Sequence, residues 1–169
     1  MFRTMRRFKQ ALPLRDCEEI LNRGTSGVLA VSGDDGYPYA VPVSYFFDGD
    51  AKIYFHCAKS GHKLDAIARN DKVSFCVIDQ DQIVPERYTT YFRSVIAFGR
   101  ARVLADDEEK RAALRLIAKK YAPDPSLAEG LLREVDSQLP AVCIVEISIE
   151  HLTGKEAIEL VRAKEHPQA

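Results

Sequence analysis

The stretch over residues 88–104 constrains the fold most. It is rich in Tyr, Thr, Phe, Val and Ile, whose branched and aromatic side chains fit a pleated surface, so it reads as one long β-strand with Gly99 as a bulge or bend. Such a strand presents two rows of backbone donors and acceptors that need partners. Five further runs supply them: 27–32, 37–47, 52–57, 73–78 and 141–149. Asp34-Asp35-Gly36 and Asp48-Gly49-Asp50 are turn sequences. The polar stretch 79–87, with Pro85, reads as a loop. Helical patterns are inserted between the runs rather than alternating with them. The first, 13–24, has Asp16 and Glu19 at capping-box spacing and Gly24 at its end. A second spans 60–70. A third starts at Asp106 and Asp107 and reaches Tyr121, with Lys119 and Lys120 near its end, where the dipole favours cations. Pro123-Asp124-Pro125-Ser126 separates it from a piece ending near Val135, and a short last helix covers 154–163. Six strands with inserted helices predict a mainly β chain, a closed or partly closed antiparallel barrel with few exposed edges.

Two local patterns point to a ligand. Proline has no N–H to give a sheet ladder, so Pro38 and Pro42 place the 37–47 strand at an edge, at a bulge or facing something other than another strand, where a flat ligand has room to lie. The run Ile53-Tyr54-Phe55-His56-Cys57 ends in a small polar turn, and a helix follows with Ser60 placed to cap it. The first N–H groups of a helix have no partner inside it and the dipole adds partial positive charge, so a phosphate fits against Ser60, Gly61 and His62. Lys63 in the first turn adds a full charge, unfavourable there unless an anion sits beside it. The ordinary alternative is a capping serine and a solvated lysine.

Composition narrows the rest. A chain of 169 residues is the size of one domain with a substantial core. A net charge of -1 gives no general attraction to nucleic acid or to an anionic membrane, and Arg3, Arg6, Arg7 and Lys9 read as a solvated basic stretch. No apolar run is long enough to span a bilayer, and the first residues do not form a signal peptide. Cys17, Cys57, Cys76 and Cys143 form no CxxC pair, and His56, His62, His151 and His166 form no metal pattern. A cytoplasmic protein without a bound metal is expected. No nucleophile elbow, paired-carboxylate pattern or GxGxxG is present.

With these elements placed, the chain resembles the FMN-binding split-barrel family, the group containing pyridoxamine 5'-phosphate oxidase, and within it the nitroimidazole-resistance type proteins. The likeness is carried by Gly27-Val28-Leu29-Ala30-Val31, by Pro38-Tyr39-Ala40-Val41-Pro42-Val43-Ser44-Tyr45, by Ile53-Tyr54-Phe55-His56-Cys57-Ala58 with Gly61-His62-Lys63, and by Tyr91-Phe92-Arg93-Ser94-Val95 with Gly99. It implies a six-stranded antiparallel Greek-key split barrel with flanking helices. It also implies a homodimer with one FMN in each of two clefts shared between subunits, acting on a small-molecule substrate. On this resemblance Pro42, Val43, Ser44 and Tyr45 line the flavin ring, while His56, Cys57, Ala58, Ser60, His62 and Lys63 surround its phosphate. Arg93 and Ser94 reach the phosphate or ribityl chain, with the partner subunit as one source of them. His56 and Tyr45 are the candidate catalytic residues; His56 reads equally as a core histidine, and Tyr45 as sheet packing. The implied reaction is FMN-dependent reduction of a nitro-aromatic or similar small acceptor by a reduced nicotinamide. The alternatives are a pyridoxamine 5'-phosphate oxidase-like enzyme and a non-catalytic flavin or haem binder. The ending Glu165-His166-Pro167-Gln168-Ala169 lacks the basic Arg-Leu-Ala-Pro type tail of the true oxidases, which weighs against vitamin B6 oxidation.

Overall fold

The computed structural model describes residues 1–165, so the tail over 166–169 lies outside the described residues. Seven strands, β1 (Ser26–Ser32), β2 (Pro38–Ser44), β3 (Phe46–Phe47), β4 (Lys52–Ala58), β5 (Lys72–Val84), β6 (Thr89–Val103) and β7 (Val142–Glu156), form one sheet in the order β2-β1-β5-β6-β7-β4-β3. Every pairing is antiparallel. Five helices flank it: α1 (Leu14–Arg23), α2 (His62–Arg69), α3 (Asp107–Tyr121), α4 (Ala128–Gln138) and α5 (Ile158–Glu165). The chain is mainly β, as expected. None of the described helices is long and apolar enough to cross a membrane.

The seventh strand comes from a break that the apolar pattern hides. The expected 37–47 strand divides at Tyr45: β2 pairs with β1 at one edge of the sheet, and β3 pairs with β4 at the other. One residue therefore joins the two edges, and the sheet curls into a split barrel that is not hydrogen-bonded shut. The two prolines sit on β2, an edge strand, where a missing N–H is tolerated.

Tyr45 is fully buried at this crossing. Its hydroxyl donates to the Leu21 carbonyl (2.7 Å), and its ring meets Phe75 edge-on at 5.0 Å. The Tyr121 hydroxyl, from the end of α3, accepts the Tyr45 N–H at 2.8 Å and lies within donating reach of the Tyr45 and Thr25 carbonyls. Lys120 places its ammonium 4.3 Å from the Tyr45 ring centre and donates to the Gly24 carbonyl. Gly24 is not the left-handed helix cap its position suggests; its φ is -62. Glycine is needed there because a Cβ would lie 2.6 Å from the Tyr45 hydroxyl oxygen.

Elsewhere, solvent on both faces explains what polarity concealed. Residues 79–84 continue β5 rather than forming a loop, because the β5–β6 hairpin projects beyond β1, which pairs only with residues 74–76. β7 also runs on to Glu156, where it pairs with β6 and, at Lys155, bridges to Ala11. The bulge expected at Gly99 is a register shift between Phe98 and Gly99. Asp106 caps α3 by accepting from the N–H groups of Glu108 and Glu109. The capping box expected in α1 is absent: Pro13 stands at the N-cap, and Glu19 instead pairs with Arg15 at 2.9 Å.

Inward residues of the sheet, including Leu29, Val31, Ile53, Phe55, Phe75, Val77, Val95, Val145 and Ile147, meet Ile20 and Leu21 of α1 in one core. Burying each such side chain contributes about 1.5–3 kcal/mol. A smaller cluster of Leu104, Leu114, Val135 and Ile144 seats α3 and α4 on the outer face of β7.

Tyr121→Phe removes the acceptor for the Tyr45 N–H and should cost roughly 1–3 kcal/mol in urea unfolding. Gly24→Ala should destabilise the chain similarly by forcing Tyr45 to shift, with near-ultraviolet circular dichroism reporting the displaced ring.

Candidate functional site

The junction between β4 and α2 has the donors expected of it but a different cap. Gly61, not Ser60, is the N-cap of α2; its φ of 137 is open to glycine and strained for other residues, and no side chain caps the helix. The first bonds within α2 run from the N–H groups of Leu64 (2.9 Å) and Asp65 (3.2 Å) to the Gly61 carbonyl. The His62 and Lys63 N–H groups are thus left without a partner inside the helix. Space around Gly61 is open: a Cβ added there would meet nothing within 4 Å. Ala58 and Ser60 are exposed, and Lys63 is half-buried. Lys63 lies close enough to Cys57 to influence it: burial pushes the Cys57 thiol up, and the Lys63 charge opposes this. Among the described residues Lys63 pairs with no carboxylate, unlike Lys52, Lys110 and Lys164.

The start of α2 is pinned to the edge of the sheet. The His62 ring stacks on Tyr39 of β2 at 4.1 Å, and its Nε2 lies 3.5 Å from an Asp34 carboxylate that also holds Arg69 at 2.5 Å. The sequence places Tyr39 in a strand and Asp34 in a turn but gives neither a link to His62, because what joins them is contact between distant elements. On β2, Pro42 and Ser44 are exposed, while Val43, on the same side of the strand as Tyr39, turns inward against the core.

The candidate catalytic residues separate clearly. Tyr45 is fully buried with its hydroxyl committed to Leu21, so its place is in the packing of the crossing. His56 is exposed and is not a core histidine; it projects outward from β4 opposite Ile144. It lines a cavity of about 940 Å³ between the sheet, α3 and α4, together with Leu114, Tyr121, Leu131 and Val142. That cavity had no sequence signal, since it exists only where α3 and α4 stand off the strands.

Arg93 and Ser94 lie far along the sheet. Ala58 is opposite Val142 at one end of β7, whereas Arg93 is opposite Glu156 at the other. At about 3.3 Å per residue, these points are roughly 45 Å apart along β7. Arg93 contacts Glu156 at 3.3 Å and Asp79 at 3.5 Å, and its buried Nε has no partner.

This geometry is that of a split barrel with a donor-lined notch at one strand end. Residues 13–156 match the pyridoxamine 5'-phosphate oxidase family, and the chain belongs to it. Among curated proteins none matches. A conserved hypothetical protein from Mycobacterium tuberculosis has a similar fold (TM-score 0.75, 20% identity, covering 98% of this chain and 96% of that one). So does a candidate 5-nitroimidazole antibiotic resistance protein from Bacteroides thetaiotaomicron (TM-score 0.71, 22% identity, 86% of each chain). An FAD-binding protein from Mesorhizobium loti is similar too (TM-score 0.60, 27% identity, 88% of this chain and 97% of that one). The residues present fit a flavin phosphate: free first-turn amides, an uncompensated half-buried lysine and open space at Gly61.

Proposed function

We propose that this protein is an FMN-dependent oxidoreductase that reduces nitro-aromatic or similar small acceptors with electrons from a reduced nicotinamide. The observation that carries the reading is Lys63, a half-buried cation beside unpartnered helix-start amides, with no carboxylate partner among the described residues. Membership of the family and the similarity to the Bacteroides thetaiotaomicron protein support it. In this reading Lys63 and the amides of His62 and Lys63 hold the phosphate, and the exposed side of β2 at Pro42 and Ser44 lies along the ring. When bound, the flavin supplies the two-electron chemistry. The chain positions the acceptor and supplies a proton, and His56, exposed at the 940 Å³ cavity, is the side chain placed to do so.

The cleft in this reading is shared by two copies. Arg93 and the junction are separated by most of the length of β7, which supports their coming from different subunits where both serve one ligand. The flavin affinity should therefore fall as the protein is diluted through its dimer–monomer transition, followed by sedimentation. An affinity independent of protein concentration overturns the shared cleft.

Absorbance and bound-ligand mass of the purified protein test the cofactor directly. Flavin bands with the mass of FMN are expected; the mass of FAD corrects the cofactor, a Soret band points to haem, and a colourless protein indifferent to added FMN sinks the reading. Two unit charges about 4 Å apart interact by about 4 kcal/mol at an effective dielectric of about 20. Even after screening, Lys63→Glu should weaken FMN binding by about a hundredfold or more in a fluorescence titration. Equal affinity of the variant and the natural protein removes Lys63 from the phosphate site.

A further inference from the structure

Cys57 of β4 and Cys143 of β7 stand directly opposite each other in the ladder. Antiparallel partners lie about 4.5–5.5 Å apart at Cα, within the roughly 4.4–6.8 Å that disulfides span. Opposed residues point to the same face, here the face that carries Ile53, Phe55, Val145 and Ile147, so both sulfurs sit on the inner side of the barrel wall at its end. Both cysteines are free and half-buried. Cys57 also feels the charge state of Cys143, as expected of neighbours. The other two lack a thiol partner: Cys17 is buried under α1 with its sulfur toward the Leu12 carbonyl, and Cys76 stands between Val28 and Ile96.

We propose that Cys57 and Cys143 form an oxidation site, a cross-strand dithiol that a hydroperoxide converts into a reversible disulfide. The Cys57 thiolate attacks one peroxide oxygen, an S–O bond forms as the O–O bond breaks, and an alcohol, or water from hydrogen peroxide, leaves after taking a proton. The Cys143 sulfur then attacks the sulfenic sulfur of Cys57; the S–S bond forms, the S–O bond breaks, and the hydroxyl departs as water with the second proton. Two thiols lose two electrons and the peroxide gains them. Burial raises the thiol of Cys57 and slows the first step, while Lys63 works in its favour. Cross-strand Cβ atoms are about 4.5–5.5 Å apart, against about 3.5–4.5 Å in a disulfide, so closure draws the strands together and leaves a bond that thiols readily reduce. His56 and Ala58 flank Cys57, so the bond pulls the end of β4 toward β7 beside the junction.

The full-length protein, treated with hydrogen peroxide and digested without reductant, should yield one linked peptide pair containing Cys57 and Cys143. The pair should be lighter by two hydrogens and be separated by dithiothreitol, with Cys17 and Cys76 still free. Sulfinic acid at Cys57 beside an unmodified Cys143, or two unreacted thiols in a sample whose exposed Met1 is oxidised, overturns the proposal. Dibromobimane, which fluoresces only after both of its arms react, tests proximity without an oxidant. The natural protein and Cys76→Ser should become fluorescent, and Cys57→Ser and Cys143→Ser should stay dark. A dark natural protein or a bright Cys143→Ser variant counts against the pair.

Discussion

The passage of the chain through Tyr45 from one edge of the sheet to the other is the constraint on which the fold rests. A curled sheet has two free edges, and here a covalent link of one residue brings them together while leaving them unpaired to each other. A residue at such a crossing leaves both ladders, so its N–H and C=O need other partners or cost free energy in the core. Tyr121 answers both groups with one hydroxyl, Leu21 takes the Tyr45 hydroxyl, and the Lys120 ammonium covers the ring. Each neutral bond contributes about 1 kcal/mol and the buried ring a few more. Helices α1 and α3 are thereby fixed against the two edges at the same point.

Much of this was legible in the residues. The edge position of β2 followed from two prolines, the Gly99 bulge from one glycine, and the start of α3 from Asp106, because each is a local steric or hydrogen-bonding fact. The break at Tyr45 was not. Val43, Tyr45 and Phe47 keep an inward alternation through the crossing, and a period of two is blind to which edge a strand joins. Residues 79–84 were misread for the opposite reason: polarity there records solvent on both faces of a projecting hairpin, not the lack of a ladder. Ser60 and Gly61 competed for one cap, and the backbone conformation with φ 137 chose glycine. Of the two readings of His56, the core one rested on its apolar neighbours, whereas the alternation Phe55-in, His56-out, Cys57-in places it outside.

The cations expected near a phosphate differ in their surroundings. Within its own chain Arg93 is already compensated by Asp79 and by Glu156, which is nearly fully buried and also receives Lys164. Its charge holds the far end of β7 and the start of α5 in place. Lys63 has no such compensation among the described residues and follows Gly61, where the backbone is open, beside two amides without a partner inside the helix. Charge balance thus separates a cation that would keep intramolecular partners while reaching a ligand from one with none of its own, a distinction that residue type alone does not make.

The ladder between β4 and β7 ends at Ala58 opposite Val142, residues more than eighty positions apart in the chain. Pairings of such separation cost more loop-closure entropy than the β5–β6 hairpin, whose tip turns through residues 85–88. Terminal pairs of a ladder also open most cheaply in the native state. The notch at the head of α2 therefore borders the segment expected to join the barrel late and to loosen first. Amide hydrogens there are expected to exchange at a lower opening free energy than those of Phe75 or Val95, a pliancy set by chain topology rather than by a hinge.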